Sequence, residues 1–319
     1  MSDPARRAAR RAIIHVGRDG WLFLIGGTNG VLRQYRRSLA MWWCLRRWKR
    51  LVEARARRAE RLGIRYVHAI VPEKLSVYDD RVDGLAYDPA LSPARRLARK
   101  LEKIPGVVDL VAPLRAMRDG PVELFRRTDS HWTYDGCLIG YRLMMRACGA
   151  VPPPGIGERP RFETEGLWDL GDKLPNLPRE TVTNWAVERD ARRDYASPLV
   201  LAYEEAGRAG DLHVGAHVIY RNDSPHADPR ILVLFGDSYS HYAPILLTGF
   251  LSESFREMHF VWSSSIDWGY VEKVRPDVLM FEIAERFLVR VPEDDFDVAA
   301  FEKPDMPAAR RQAALAPVV

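Results

Sequence analysis

Short apolar runs alternate along this chain with longer stretches whose apolar residues recur every three or four positions. The runs are Tyr66 to Val71, Val107 to Val111, Ile231 to Phe235, Met258 to Trp262 and Val278 to Ile283. Near-continuous apolar character over five or six residues predicts strands buried on both faces, as in a parallel sheet. The helical-period stretches end near Leu62-Gly63 or span Ser92 to Lys103, Cys137 to Cys148 and Ser240 to Phe255. Strand and helix in turn are the βαβ rhythm of a doubly wound sheet with helices on both faces. Between the cluster Val151-Pro152-Pro153-Pro154-Gly155 and Pro229 the pattern changes to Gly/Asp-rich loops and short alternating segments, Leu199 to Tyr203 and His213 to Tyr220. This predicts a small β insertion at about 152–228 rather than a separate domain, because the run Ile231 to Phe235 must rejoin the first sheet. The expectation is one domain over 1–319, with no internal repeat and a frayed Ala/Pro/Arg-rich tail over 302–319.

Two of these junctions carry chemistry. The strand Ile231 to Phe235 runs into Gly236-Asp237-Ser238, which delivers a serine to a strand tip where a helix is predicted to begin. Gly236 permits a tight turn, and the Ser238 N–H can face a reacting centre at the positive end of that helix. Asp and Ser are also ordinary helix caps, so the triplet alone reads more readily as a simple turn, and it is the strand before it and the predicted helix after it that bring the catalytic reading level. The second junction, Arg127 to Gly136, places Asp129 and His131 two apart, so that in extended backbone both side chains leave on one face. A serine hydroxyl needs a base, and the base needs a carboxylate to fix its tautomer. Ser238, His131 and Asp129 supply the set, and Thr133 is the predicted cap of the helix that follows. The blander alternative is a surface Asp-x-His turn. If the three act together, strands ending at Thr128 and Phe235 share one sheet with their carboxyl ends side by side. His241, three residues past Ser238 on the same predicted helix, has no carboxylate to orient it and is set aside as base.

Further candidates follow from position. Ser265 lies in Ser263-Ser264-Ser265, a loop at a strand's carboxyl edge, where its amide can serve as an oxyanion donor or its hydroxyl can cap a helix. Arg286 can orient a substrate or stabilise negative charge, or it can pair with Glu282 on the same strand face.

Asp129-Ser130-His131-Trp132, followed much later by Gly236-Asp237-Ser238, resembles the alginate O-acetyltransferase-like branch of the SGNH (GDSL) hydrolase superfamily, in which the Asp-x-His-Trp pair precedes the serine as a circular permutation of the usual order. Gly17-Arg18-Asp19-Gly20-Trp21-Leu22-Phe23 is similar to the branch's opening segment, Val71-Pro72-Glu73-Lys74 to its P-x-K loop, and Pro276-Asp277-Val278 with Glu282 to Arg286 to its closing strand. The resemblance spans roughly 16 to 290. It implies a three-layer SGNH-like, flavodoxin-like fold and a serine acyl-enzyme that passes an acetyl group to a sugar hydroxyl, as in exopolysaccharide biosynthesis. It adds Gly236, Asp237 and Trp132 to Ser265 and Arg286 as positions for substrate contact or oxyanion donation. The superfamily's Asn in a Gly-x-Asn-Asp context is missing, which leaves the side-chain oxyanion donor unassigned. The partners implied are a glycan acceptor and an acyl donor, either acetyl-CoA or a group handed over by a membrane acyltransferase; no bound cofactor is expected. The same triad would serve a carbohydrate esterase, and the fold could also be a catalytically silent glycan-binding module. Trp168 and Trp268 could stack on a sugar ring, though packing is the commoner fate of Trp.

Composition narrows the remaining classes. With 319 residues and 47% hydrophobic content the chain can bury a substantial core. Cys44, Cys137 and Cys148 form no disulfide framework, and no Cys/His spacing predicts a metal. After Arg6-Arg7 and Arg10-Arg11 the apolar stretch is only Ile13, Ile14 and Val16, too short for a secretory core. The expectation is therefore a cytosolic chain, whereas the resemblance implies a periplasmic one. Net charge is +5, and the N-terminal arginines alternate with apolar positions instead of forming a continuous face, which argues against nucleic acid. Met41 to Leu51 reads as an amphipathic helix with Trp and Leu on one side and cations on the other. Its expected use is to pack the Trp side on the sheet, with contact to an anionic membrane as the alternative.

Overall fold

The structure, a computed structural model, describes residues 13–302. The paired arginines ahead of Ile13 and the tail beyond Glu302 lie outside the described residues.

Strand β3 (Arg65–Val71) is buried at six of its seven positions and β11 (Val278–Ala284) at all seven, as continuous apolar runs require. They join β4 (Val107–Asp109), β7 (Ala191–Ala196), β8 (His217–Asn222), β9 (Asp228–Gly236) and β10 (Phe255–Trp262), apart from the small antiparallel pair β1 (Ile14–Val16) with β2 (Leu22–Leu24), in a seven-stranded sheet of order β4-β3-β11-β9-β10-β8-β7. The first five are mutually parallel. Alternation along β9 divides the interior: Leu232 and Leu234 face one core, Val233 and Phe235 the other. The second core is covered by α1 (Leu39–Arg61), α2 (Pro93–Leu101) and the helix Trp268–Val274. The first is covered by α3 (Val111–Met117), α4 (Tyr134–Ala147) and the helix Leu246–Ser252. This is the three-layer, mostly parallel α/β arrangement expected.

Several local expectations change. The segment 152–228 yields the hairpin β5 (Arg161–Gly166) with β6 (Glu180–Trp185), but also β7 and β8, which extend the main sheet, β8 antiparallel to β10 and β7 antiparallel to β8. Leu199 to Tyr203 is not a strand. It lies within the helix Pro198–Glu205, started by Ser197, whose side chain accepts from the Val200 N–H, and by Pro198 in the first turn. The helix expected over Ser240 to Phe255 is confined to Leu246–Ser252. Pro244 lacks the N–H a helix interior needs, and His241 and Leu246 take positive φ of 66° and 49°. His241 therefore does not share a helix with Ser238. The residues before Asp129 form no sheet strand either; a single bridge pairs Phe125 with Trp132, and Asp129 to His131 sit in the loop between α3 and α4. Residues 126–131 carry no apolar alternation to pair them into the sheet, and Thr128, Asp129 and Ser130 are buried through hydrogen bonds instead.

Candidate active site

Ser238 follows the carboxyl end of β9. The Asp237 carbonyl accepts from the Ser240 and His241 N–H groups at 3.1 and 3.0 Å, closing one helical turn. The Asp237 carboxylate accepts from the Tyr239 N–H at 2.9 Å and from the Ala284 N–H at 2.7 Å, tying this turn to the end of β11. Glu282 Oε2 accepts from the Asp237 N–H at 3.1 Å and the Ser240 hydroxyl at 2.7 Å. A Cβ on Gly236 would come within 2.9 Å of Ser240 Oγ and 3.1 Å of Glu282 Oε2, so this buried pair leaves no room for a side chain there. Gly236 and Asp237 thus shape the turn; the Asp237 N–H is already bound to Glu282 and is not an oxyanion donor. Burial, and then the nearby Asp237 charge, push the Glu282 carboxyl well above the usual range. The Ser238 N–H, by contrast, has no acceptor among the described residues.

The acid–base pair reaches the serine from the loop ahead of α4. His131 Nε2 lies 2.8 Å from Ser238 Oγ, and His131 Nδ1 lies 2.6 Å from Asp129 Oδ1. The same oxygen accepts from the His131 N–H at 2.8 Å, and Asp129 Oδ2 accepts from Arg126 at 3.1 Å. Thr133 caps α4, its hydroxyl accepting from the Gly136 N–H at 3.1 Å. Burial opposes charge on the imidazole, but the Asp129 charge and hydrogen bond outweigh it, so the His131 pKa is raised above 6.5. Burial likewise opposes the Asp129 charge, and His131 with Arg126 holds that carboxyl far below its ordinary value.

Tyr239 joins the two segments. Its hydroxyl donates to the Ser130 carbonyl at 2.6 Å, its carbonyl accepts from Trp132 Nε1 at 3.0 Å, and its ring packs 4.9 Å from that of His131. Trp132 is completely buried beneath this turn, so it is a packing residue and not a substrate contact. Arg286 donates to Glu73 at 2.5 Å, to the Tyr239 hydroxyl at 2.8 Å and to Ser130 Oγ at 3.1 Å. The ion pair expected with Glu282 is made with Glu73 instead, because Arg286 falls past the strand end while Glu282 faces Asp237. Ser265 also moves away from the centre: its hydroxyl contacts Asp295, and its N–H donates to Ser263. Trp268 is buried against Arg58, whereas the partly buried Trp168 lies under Arg126, 4.7 Å away, beside the Asp129 loop.

Residues that sequence patterning did not single out complete the site. Asp169 accepts from the Ser130 N–H at 2.7 Å and hydroxyl at 2.6 Å, and Glu180 accepts from the Arg127 and Thr128 N–H groups at 2.8 and 2.7 Å. Lys74, quoted above in the P-x-K loop, is buried and donates to the Arg126 and Arg127 carbonyls at 2.9 Å each; burial lowers its pKa to about 8. His241 Nδ1 accepts from the Ala243 N–H at 3.0 Å, so the neutral ring carries its proton on Nε2. Burial, with the charge of His131 next, lowers its pKa to about 4. Asp129, His131 and Asp169 offer ligand atoms within 4.8 Å of one another, the spacing of a cation site. Those atoms are already committed to each other, to Arg126 and to Ser130.

A serine, an imidazole and a carboxylate in hydrogen-bonded series, at the carboxyl edge of a three-layer parallel sheet, define the SGNH-hydrolase-like class. The chain belongs to the family described as SGNH hydrolase-like domain, acetyltransferase AlgX, whose model matches residues 14–218, a span that takes in Asp129 and His131 and stops short of Ser238. A curated relative, the probable alginate O-acetylase AlgJ of Pseudomonas fluorescens, is 30% identical over 157 residues, 47% of this chain and 36% of that protein. The chain thus matches about a third of that relative's length. Among solved structures, the O-acetyltransferase domain of Pseudomonas putida AlgJ superposes with a TM-score of 0.56 at 17% identity, covering 91% of this chain and 98% of that one. Bacillus cereus PatB1 with a sulfonyl adduct gives a TM-score of 0.60 at 14% identity, covering 91% and 97%. These two likenesses bear on the fold.

Proposed function

We propose that the protein is a serine-dependent O-acetyltransferase acting on a glycan, and that Ser238, His131 and Asp129 perform the transfer. The observation that carries this reading is the unbroken series Ser238 Oγ, His131, Asp129 at 2.8 and 2.6 Å in a chain of this family. His131 Nε2 takes the hydroxyl proton as Ser238 Oγ bonds to the acyl carbonyl carbon, and returns it to the leaving group when the donor's acyl bond breaks. A sugar hydroxyl then gives its proton to His131 as it attacks the acyl-enzyme, and the proton returns to Ser238 as the product ester departs. Asp129 holds the ring with its Nδ1 protonated. The Ser238 N–H donates to the developing oxyanion, and the Nε2–H of His241, three residues on in the same turn, supplies the side-chain donor in place of an Asn. The acyl donor is a thioester such as acetyl-CoA or a group passed on by a membrane partner. The acceptor, by analogy with the relative named for alginate O-acetylation, is a polysaccharide.

The test is nitrophenyl acetate turnover with and without an oligosaccharide acceptor. Acceptor-dependent release supports the transferase. Acceptor-independent release assigns an esterase, and absence of any burst leaves a glycan-binding module. Among the described residues no helix is long and apolar enough to cross a membrane. The periplasmic setting that the resemblance implies suits an enzyme of exported glycans, and cell fractionation distinguishes it from the cytosol.

A further inference from the structure

The helix α1 divides its aromatic residues between two environments. Met41, Leu45, Trp48 and Val52 face the core at spacings of four, three and four, which is the inward stripe of an amphipathic helix. Trp42 and Trp43 are not on that stripe. They are 37% and 54% exposed, and Leu39, one turn earlier, is 79% exposed. The two indoles meet edge to face with centroids 4.8 Å apart, and the Arg46 guanidinium sits 4.6 Å from the first and 5.9 Å from the second. The expected grouping of all Trp on the sheet side therefore holds for Trp48 alone.

The charge around this pair has one sign. From Gly20 to Val52 the chain contains no Asp or Glu, and every Arg and Lys in that span is exposed. No carboxylate among the described residues lies within ion-pair distance of Arg36, Arg37, Arg46, Arg47 or Arg50; the first pair on the helix is Lys49 with Glu53 at 3.6 Å. Arg96 and Arg290 line the shallow grooves on either side of the Trp pair. Cations without carboxylate partners around exposed indoles, flanked by shallow open grooves, fit a broad anionic surface rather than a single small ligand.

Position adds a second constraint. Trp48 Nε1 and Cys44 Sγ donate to the Leu288 carbonyl at 2.8 and 3.0 Å, and Leu288 lies just past the carboxyl end of β11. The first turns of α1 thus stand at the same edge of the sheet as Ser238.

We propose that the Leu39, Trp42, Trp43 face of α1, with its ring of arginines, docks on the anionic headgroup surface of a lipid bilayer. Indole rings settle at the headgroup level and the arginines pair with lipid phosphates, the combination that holds interfacial amphipathic helices. A second copy of the chain is disfavoured as occupant, because the two arginine rings would repel. Docking turns the carboxyl edge of the sheet, and with it the Ser238 site, toward the membrane. Binding itself is independent of the acyl-transfer reading; only the use of that orientation rests on it.

The experiment is flotation of the full chain with vesicles of phosphatidylglycerol and phosphatidylcholine against phosphatidylcholine alone. The wild type should float with the anionic vesicles and be released by salt. Each cation near such a surface is worth about fivefold in binding, so reversing two charges in Arg46→Glu/Arg47→Glu should weaken flotation at least tenfold. Trp42→Ser/Trp43→Ser should weaken it as well, in neutral as in anionic vesicles. Both variants alter exposed side chains, so they should keep the wild-type Tm and nitrophenyl acetate burst. A burst missing from the wild type would sink the catalytic reading and leave this one standing. Equal flotation with both vesicle types, no flotation, or variants that float like the wild type would overturn the membrane assignment. So would self-association of the wild type that Trp42→Ser/Trp43→Ser abolishes, which would make the face a protein interface.

Discussion

A serine hydroxyl beside an imidazole gives up its proton only if the ring nitrogen facing it is bare, and the bond from His131 Nδ1 to Asp129 fixes that tautomer. The raised pKa of His131 then has a kinetic sign. Below its pKa the ring is protonated and cannot accept, so acyl-enzyme formation should fall with acid along a limb centred above 6.5. Burst rates between pH 5 and 9 locate the limb; a flat profile would mean another base. Ser238→Ala, His131→Ala and the double variant should each lose about 10³-fold or more, with no further loss in the double, since the members act as a unit. Near-wild-type turnover in Ser238→Ala alone would exclude the serine. His241→Phe, which keeps a ring against Trp262 but removes the donor, should lower kcat about 10²-fold with little change in KM. His241→Gln should recover part of that loss; full activity in the Phe variant would remove His241 from the oxyanion hole. These residues differed in how readily the sequence disclosed them. Ser238, His131 and Asp129 announced themselves by type and spacing. His241 was legible only as a base lacking a carboxylate, because its placement outside a helix follows from a positive φ that the sequence pattern does not disclose.

At the scale of elements, the acid–base loop has no strand to hold it and is braced from outside. The segment between β5 and β6 supplies Asp169, and β6 supplies Glu180, which together receive the N–H groups of Arg127, Thr128 and Ser130. An insertion that reads as accessory in the sequence is therefore part of the site's frame. The strands were legible because burial on both faces forces continuous apolar runs. This bracing was not, because it consists of single carboxylates meeting backbone N–H groups about forty to fifty residues away. Asp169→Asn separates its two roles. The amide still accepts from the Ser130 N–H, but the negative charge that helps raise the His131 pKa is gone, so the acid limb should move to lower pH with the plateau kcat largely retained. Asp169→Ala removes the acceptor too and should cost about 10²-fold in kcat, the scale of a misplaced catalytic group. An unmoved limb in the Asn variant would show that Asp169 acts by packing alone.

Across the whole molecule, cohesion is uneven, and the site spans the difference. Ser238 rises from β9, whose neighbours β10 and β11 are buried almost throughout, so its turn can be released only when the sheet itself opens. His131 depends on a loop latched to the β5–β6 hairpin, a two-stranded sheet of its own in which β5 is exposed at five of six positions. Two-stranded sheets are marginal in water without packing, and this hairpin is tied to the core through β6 alone, by Val182 and Trp185, so it should open before the main sheet does. Hydrogen exchange should then place the amides of Thr128 and Ser130 with the fast hairpin group, while those of Leu232 to Phe235 and Leu279 to Ile283 exchange only by global unfolding. Acylation of Ser238 by a sulfonyl fluoride should slow exchange at Ser130 more than in the sheet, because the adduct packs against His131 and holds its loop closed. If Thr128 and Ser130 instead exchanged with the sheet strands, Tyr239 and Arg286, not the hairpin, would be the ties that fix the base beside its serine.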